Sequence, residues 1–192
     1  MNNKIGLFFG SFNPVHIGHM IIANNIALHT DLDQVWMVVS PQNPFKDKKT
    51  LARERDRLHL VRLAIGDNIR LSASDIEFTL PQPSYTIDTL AYLHEKYPEK
   101  EFYLIMGSDN LLGIHKWKNG ELLLKKYGIY IYARPGFEAK DYSEYKMVNV
   151  VPGPLLDISS TYIRKQIKDK KSIQYLVPDA VFEYIDQSRL YS

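Results

Sequence analysis

The sequence predicts an α/β fold, a mostly parallel sheet with helices on both faces. Three observations carry that expectation. Short runs of branched and aromatic residues recur along the chain, longer stretches with helical spacing separate them, and the overall composition is that of an ordinary globular protein.

The elements follow in order. Residues Ile5 to Phe9, Val35 to Ser40, Phe102 to Met106 and Gly128 to Ala133 are apolar with little polar alternation, the pattern of strands buried on both faces. Between them, Ile17 to His29 places apolar residues at Ile17, Ile21, Ile22 and Leu28, and Arg53 to Ile65 places them at Leu58, Val61 and Ile65. Tyr85 to Tyr97 repeats Ile87, Leu90 and Leu93. Val177 to Gln187 carries Val181 and Ile185 behind Pro178, a residue suited to a first helical turn. No internal repeat is visible. Two segments read as loops. "SPQNPFKDKKT" (40–50) follows a strand, where open parallel sheets put their ligand loops, and "ARPGFEAKDYSEYK" (133–146) is a polar surface connection.

Composition limits the classes of function. A chain of 192 residues with 45% hydrophobic and 24% charged residues fits one compact domain and sets aside disorder and coiled coil. A net charge of +2 supplies no bulk attraction to nucleic acid or membrane, so any anion site must be local. The absence of cysteine excludes disulfides, thiolate nucleophiles and cysteine-ligated zinc. The run Ile5 to Phe9 is too short for a secretory core or a membrane span. The expectation is a soluble, cytoplasmic protein without nucleic-acid or membrane partners.

Chemistry concentrates in "GSFNPVHIGH" (10–19). Gly10 has access to backbone angles closed to other residues, which lets a ligand approach the main chain. Pro14 stiffens the turn, and the helical period starting at Ile17 sets His16 and His19 at a helix start, three apart and on one face. A helix start offers unpaired N–H groups and a positive dipole end, so two imidazoles and the Ser11 hydroxyl would add donors to a phosphate site. Zinc would want a third ligand and a spacing such as His-Glu-x-x-His. A lone histidine there reads more often as a helix cap or a surface filler. A second stretch, "ISSTYIRK" (158–165), opens a helix with Ser159, Ser160 and Thr161 and places Arg164 one turn inside. Taken alone, it is an ordinary N-cap followed by a solvated arginine.

Together the two stretches resemble a known family. "GSFNPVHIGH" resembles the G-x-F-x-P-x-H-x-G-H signature of the HxGH nucleotidyltransferase superfamily, and "ISSTYIRK" resembles its I-S-S-T-x-I-R motif. "PSYTIDTL" (83–90), "YLIMGSDNLLGIHKW" (103–117) and "ARPG" (133–136) are similar, in order and spacing, to the bacterial nicotinate-nucleotide adenylyltransferases. The resemblance covers nearly the whole chain. It departs at "NPFK" (43–46), which keeps Lys46 without the histidine that often precedes it in the family.

The resemblance implies a Rossmann-like, doubly wound fold in a single nucleotidyltransferase domain over 1–192, with a helical C-terminal part from about residue 155. It implies an enzyme that joins ATP to nicotinate mononucleotide and releases pyrophosphate, with Mg2+ carried on the ATP phosphates rather than in a protein cage. His16, His19, Lys46 and Arg164 would contact the reacting phosphates. Gly10, Ser11, Phe12, Gly107, Asp109, Ile158, Ser159, Ser160 and Thr161 would hold ATP, Asp109 through the ribose hydroxyls. Tyr85, Thr86, Trp117 and Lys118 would receive the pyridine nucleotide, with Trp117 stacked on the cationic ring. The attacking group is already an anion, so catalysis would rest on positioning and preorganised positive charge rather than a strong base. Nicotinamide mononucleotide or phosphopantetheine as acceptor, or a nucleotide sensor without turnover, are the alternatives. Assembly as a homo-oligomer is left open.

Overall fold

The apolar runs become the central strands of a six-stranded sheet in the computed structural model, which describes residues 3–41, 51–133, 145, 147–154 and 156–192. The strands are β1 (Asn3–Gly10), β2 (Gln34–Val39), β3 (Leu71–Ser74), β4 (Lys100–Gly107), β5 (Ile129–Tyr132) and β6 (Val148–Val151). They lie in the order β3-β2-β1-β4-β5-β6, and every neighbouring pair is parallel. The expected "mostly parallel" sheet is therefore wholly parallel among the described residues.

Seven helices accompany the described strands: α1 (Ile17–His29), α2 (Glu54–Ile65), α3 (Thr86–Lys96), α4 (Ser108–Leu112), α5 (Gly120–Lys126), α6 (Ser160–Lys168) and α7 (Asp179–Ser188). Side chains alternate across a strand, so each strand feeds two cores. Phe8, Met37, Ile105 and Tyr130 face one cluster with Ile26 of α1, Leu60 of α2, Ile163 of α6 and Val181 of α7. Leu7, Val38, Leu104 and Ile131 face the other, with Leu90 of α3, Leu111 of α4 and Leu123 of α5. Helices thus cover both faces, as periodicity predicts. No helix among the described residues is long and apolar enough to cross a membrane.

The topology decides where a ligand can sit. From β1 the chain winds outward through β2 to β3, then returns to pair β4 with the other edge of β1. That reversal opens a crevice beyond the carboxyl ends of β1 and β4, where open α/β sheets bind ligands. Gly10 and Gly107 end those two strands.

Candidate active site

The loop leaving β1 is held from several directions at once. Gly10 is not there for unusual backbone angles: Gly66 is the only glycine with positive φ among the described residues. A Cβ on Gly10 would come within 2.7 Å of the Phe12 ring, so the missing side chain makes room for that ring instead. Phe12 itself takes the left-handed conformation (φ 43), is buried, and sets its ring edge-on to His19 with centroids 5.0 Å apart. Phe12 thus shapes the loop by packing against Phe8 and His19.

His16 and His19 divide their nitrogens between two tasks. His16 is the buried N-cap of α1. Its Nδ1 accepts a long hydrogen bond from the His19 N–H (3.4 Å), and the Nδ1 of His19 accepts from the His16 N–H (3.2 Å). The rings stack with centroids 3.7 Å apart. This is a capping box made of two imidazoles. A ring nitrogen that accepts carries no proton, so each neutral ring holds its proton on Nε2 and presents it as a donor. Capping, one of the two readings the sequence offers, engages the Nδ1 atoms; the phosphate-contact expectation for His16 and His19 then rests on their Nε2 atoms.

The second motif folds onto the first. Ser160 Oγ donates to the Pro14 carbonyl (2.9 Å), and Arg164 Nη1 donates to the Asn13 carbonyl (2.7 Å), with Nη2 on Thr161 Oγ1 (3.3 Å). A Cβ at Gly18 would stand 2.7 Å from Ile158 Cγ2, so that glycine allows the two motifs to meet. Ser159 caps α6 by accepting from the Tyr162 N–H (3.2 Å), as an ordinary N-cap does. Arg164, however, is no solvated surface residue: it is half-buried against the first loop.

Sequence reasoning missed Arg57. It is fully buried, and its guanidinium donates to the carbonyls of Ala52 (3.0 Å), Ser11 (2.5 Å), Ser40 (2.8 Å) and Pro41 (3.2 Å). Burial pushes its pKa down, while Tyr191 and Glu54 oppose the shift. The Tyr191 hydroxyl is buried without a hydrogen-bond partner among the described residues, and burial pushes its pKa up against the charges of Arg57 and Arg164. Arg57 therefore ties the loop after β1 to both flanks of segment 42–50, which lies outside the described residues and contains Lys46. The Ala52 N–H adds a bond to Asn13 Oδ1 (3.1 Å). A signal was available: Arg57 stands at the i position of the stripe Leu60, Val61, Ala64, where an apolar residue is expected.

The residues assigned to the pyridine nucleotide gather on the other side of β1. Tyr85 is the N-cap of α3 and Thr86 its first residue. Lys118 Nζ donates to both oxygens of Asp88 (3.0 and 2.7 Å) and lies 5.0 Å from the centre of the Tyr85 ring. Tyr85 and Trp117, both half-buried, pack against the same apolar cluster. Gly107 and Asp109 stand at the start of α4, with Asp109 exposed. Of "ARPG" (133–136), only Ala133 is among the described residues.

Comparisons with known proteins identify the family. The profile of the cytidylyltransferase-like family matches residues 7–166. A Flavobacterium psychrophilum protein named "Probable nicotinate-nucleotide adenylyltransferase" is 54% identical over 190 residues, covering 98% of each chain. A Bacillus licheniformis protein of the same name is 35% identical over 188 residues, again 98% of each chain. Among solved structures, nicotinic acid mononucleotide adenylyltransferase of Plasmodium falciparum, complexed with NaAD, superposes with a TM-score of 0.83 at 22% identity over 99% of this chain and 98% of that one, a likeness of fold. The chain belongs to the cytidylyltransferase-like family and, within it, to the nicotinate-nucleotide adenylyltransferases.

Proposed function

We propose that this chain transfers the adenylyl group of ATP to nicotinate mononucleotide, giving nicotinate adenine dinucleotide and pyrophosphate. One observation carries the reading: two motifs 146 residues apart converge on the loop after β1, at the reversal point of the sheet. In this reading a phosphate oxygen of the mononucleotide attacks the α-phosphorus of ATP. The bond from that phosphorus to the oxygen bridging to the β-phosphate breaks, and pyrophosphate departs with the electron pair.

Each group then has a task. The Nε2–H donors of His16 and His19, with the N-terminal N–H groups of α1, face the reacting phosphates, and Arg164 and Lys46 balance the charge that moves onto pyrophosphate. Ser11 and Thr161 add hydroxyls, Ser160 spends its proton on the Pro14 carbonyl and ties the second motif to the first, and Asp109 accepts from the ribose. Trp117 supplies a face for the pyridinium ring, beside the α3 start and Lys118. Magnesium enters as part of the nucleotide substrate; the groups brought to this end are N–H donors and cations, which fit phosphate oxygens rather than a metal. The relative crystallised with NaAD supports the choice of a pyridine acceptor.

The test offers the purified protein ATP and magnesium with nicotinate mononucleotide, nicotinamide mononucleotide or phosphopantetheine, reading pyrophosphate and adenylylated product. The expected result is fastest turnover with nicotinate mononucleotide. Product from another acceptor alone would reassign the substrate, and no product at all would leave a nucleotide sensor.

A further inference from the structure

A second buried charge lies on the pyridine side, and none of the roles above uses it. Glu77 sits in a short turn (Ile76–Thr79) between β3 and α3 and is 2% exposed. Its Oε2 accepts from Ser84 Oγ (2.9 Å) and its Oε1 accepts from Thr89 Oγ1 (2.8 Å). Among the described residues it takes part in no ion pair. A carboxylate removed from water is costly unless it is hydrogen-bonded, and two neutral hydroxyls offset that cost less well than a cation would. An apolar residue here would strip the buried Ser84 and Thr89 hydroxyls of the carboxylate they donate to, so the three groups form one arrangement.

Its partners point to its task. Ser84 immediately precedes Tyr85 and Thr86, and Thr89 lies one turn inside α3, with its hydroxyl also 3.3 Å from the Tyr85 carbonyl. The carboxylate therefore grips the α3 start on both sides of Tyr85 and Thr86. An ionised carboxylate only accepts, so both hydroxyls must point their protons at it, which fixes their rotamers and the first turn of the helix.

We propose that Glu77 is a positioning residue for the pyridine substrate, holding the α3 start in the geometry that favours an acid over an amide on the ring. The inference rests on the proposed acceptor. A carboxylate on the ring needs donors at two oxygens, whereas an amide brings a donor of its own. A small tilt of the turn that carries Tyr85 and Thr86 therefore changes the balance between them.

The test is Glu77→Gln, which keeps size and shape while turning one acceptor into a donor, alongside Ser84→Ala and Thr89→Val. Steady-state kinetics with both mononucleotides should show KM for nicotinate mononucleotide rising about tenfold in Glu77→Gln, the scale of a hydrogen bond to a charged group. KM for ATP should stay within about twofold, and the acid-to-amide ratio of kcat/KM should fall. The two hydroxyl variants should move the same quantities in the same direction by less. A lower melting temperature with unchanged KM and unchanged acid-to-amide ratio overturns the proposal. Should Glu77→Gln not fold, unchanged KM in both Ser84→Ala and Thr89→Val overturns it equally. Wild-type protein inactive on nicotinate mononucleotide strikes the proposed function instead, so the two failures are distinguishable.

Discussion

Two buried charges of opposite sign stand at the two ends of the candidate site, and the chain satisfies them in opposite ways. Arg57, at the phosphate end, donates to four main-chain carbonyls from three separate segments. Glu77, at the pyridine end, accepts from two side-chain hydroxyls that flank one helix start. Neither takes part in an ion pair among the described residues. A cation among carbonyls organises loops, whose polar groups no ladder satisfies, whereas an anion among hydroxyls sets the entry angle of a single helix. Arg57 is opposite in sign to the phosphates expected at its end, whereas Glu77 has the same sign as the ring carboxylate and acts through the α3 start rather than on the ligand. The phosphate end needs several strands of chain gathered around many charges, and the pyridine end needs one flat ring placed well.

The comparison predicts that damage at the phosphate end falls on turnover and ATP, and damage at the pyridine end falls on the mononucleotide. The largest effect should come from His19→Ala. The substitution removes the Nε2–H donor but leaves His16 Nδ1 in place to accept from the residue 19 N–H, so half of the α1 cap survives. Turnover should drop about a hundredfold or more, the range for a preorganised donor at developing charge. Stability should fall by about 1 kcal/mol, the usual cost of a weakened cap. Rate and thermal-melt measurements on the same preparation check both. Near-normal turnover with a lowered melting temperature would make the imidazole a cap and nothing more.

Arg57→Lys should have the next largest effect. A lysine keeps the positive charge, but its three donors cannot reproduce the planar fork that serves four carbonyls. The loop after β1 and the flanks of segment 42–50 then lose their common tie. The expected result is a fall of about tenfold in kcat/KM for ATP, with KM for the mononucleotide unchanged, the mirror image of Glu77→Gln. Equal losses for both substrates would break the comparison and reduce Arg57 to a support of the whole fold.

What the sequence made legible, and what it hid, follows the same physics. The four central strands were readable because burial on both faces leaves long apolar runs, and α1 begins and ends where its period does. Edge strands β3 and β6 carry little sequence signal because "LSAS" and "VNVV" are each buried chiefly at one residue and too short to show alternation. Helix α5, at seven residues, completes barely two turns and shows little period. The two motifs were visible as patterns, and their residues do come together. What no local pattern could show was that Ser160 and Arg164 would bond the carbonyls of Pro14 and Asn13. Gly10 suggests backbone freedom in the sequence, but the structure gives it no positive φ and shows the space it leaves for Phe12. Arg57 hid among Arg53, Arg55 and Arg62 in a helix where arginine looks like surface. Glu77 hid in the same way, as one more acidic residue in "SDIEF".

The smallest effect, and the sharpest test of the pyridine end, is expected at Trp117. The indole packs against the cluster around Leu111 and Ile114, so a role as an apolar anchor and a role as a ring platform both suit its place. Trp117→Ala removes both, and KM for nicotinate mononucleotide should rise about fivefold, near the middle of the range for a cation held against an aromatic face. KM for ATP should change less. If ATP suffers most, the indole belongs to the phosphate end and the division of the site is drawn in the wrong place. Trp117→Phe separates the remaining roles, because phenylalanine keeps apolar bulk but offers a cation a weaker face than indole does. Affinity between that of Trp and Ala supports stacking. Affinity equal to wild type would show that bulk alone suffices, leaving the α3 start and Glu77 beneath it to choose the ring.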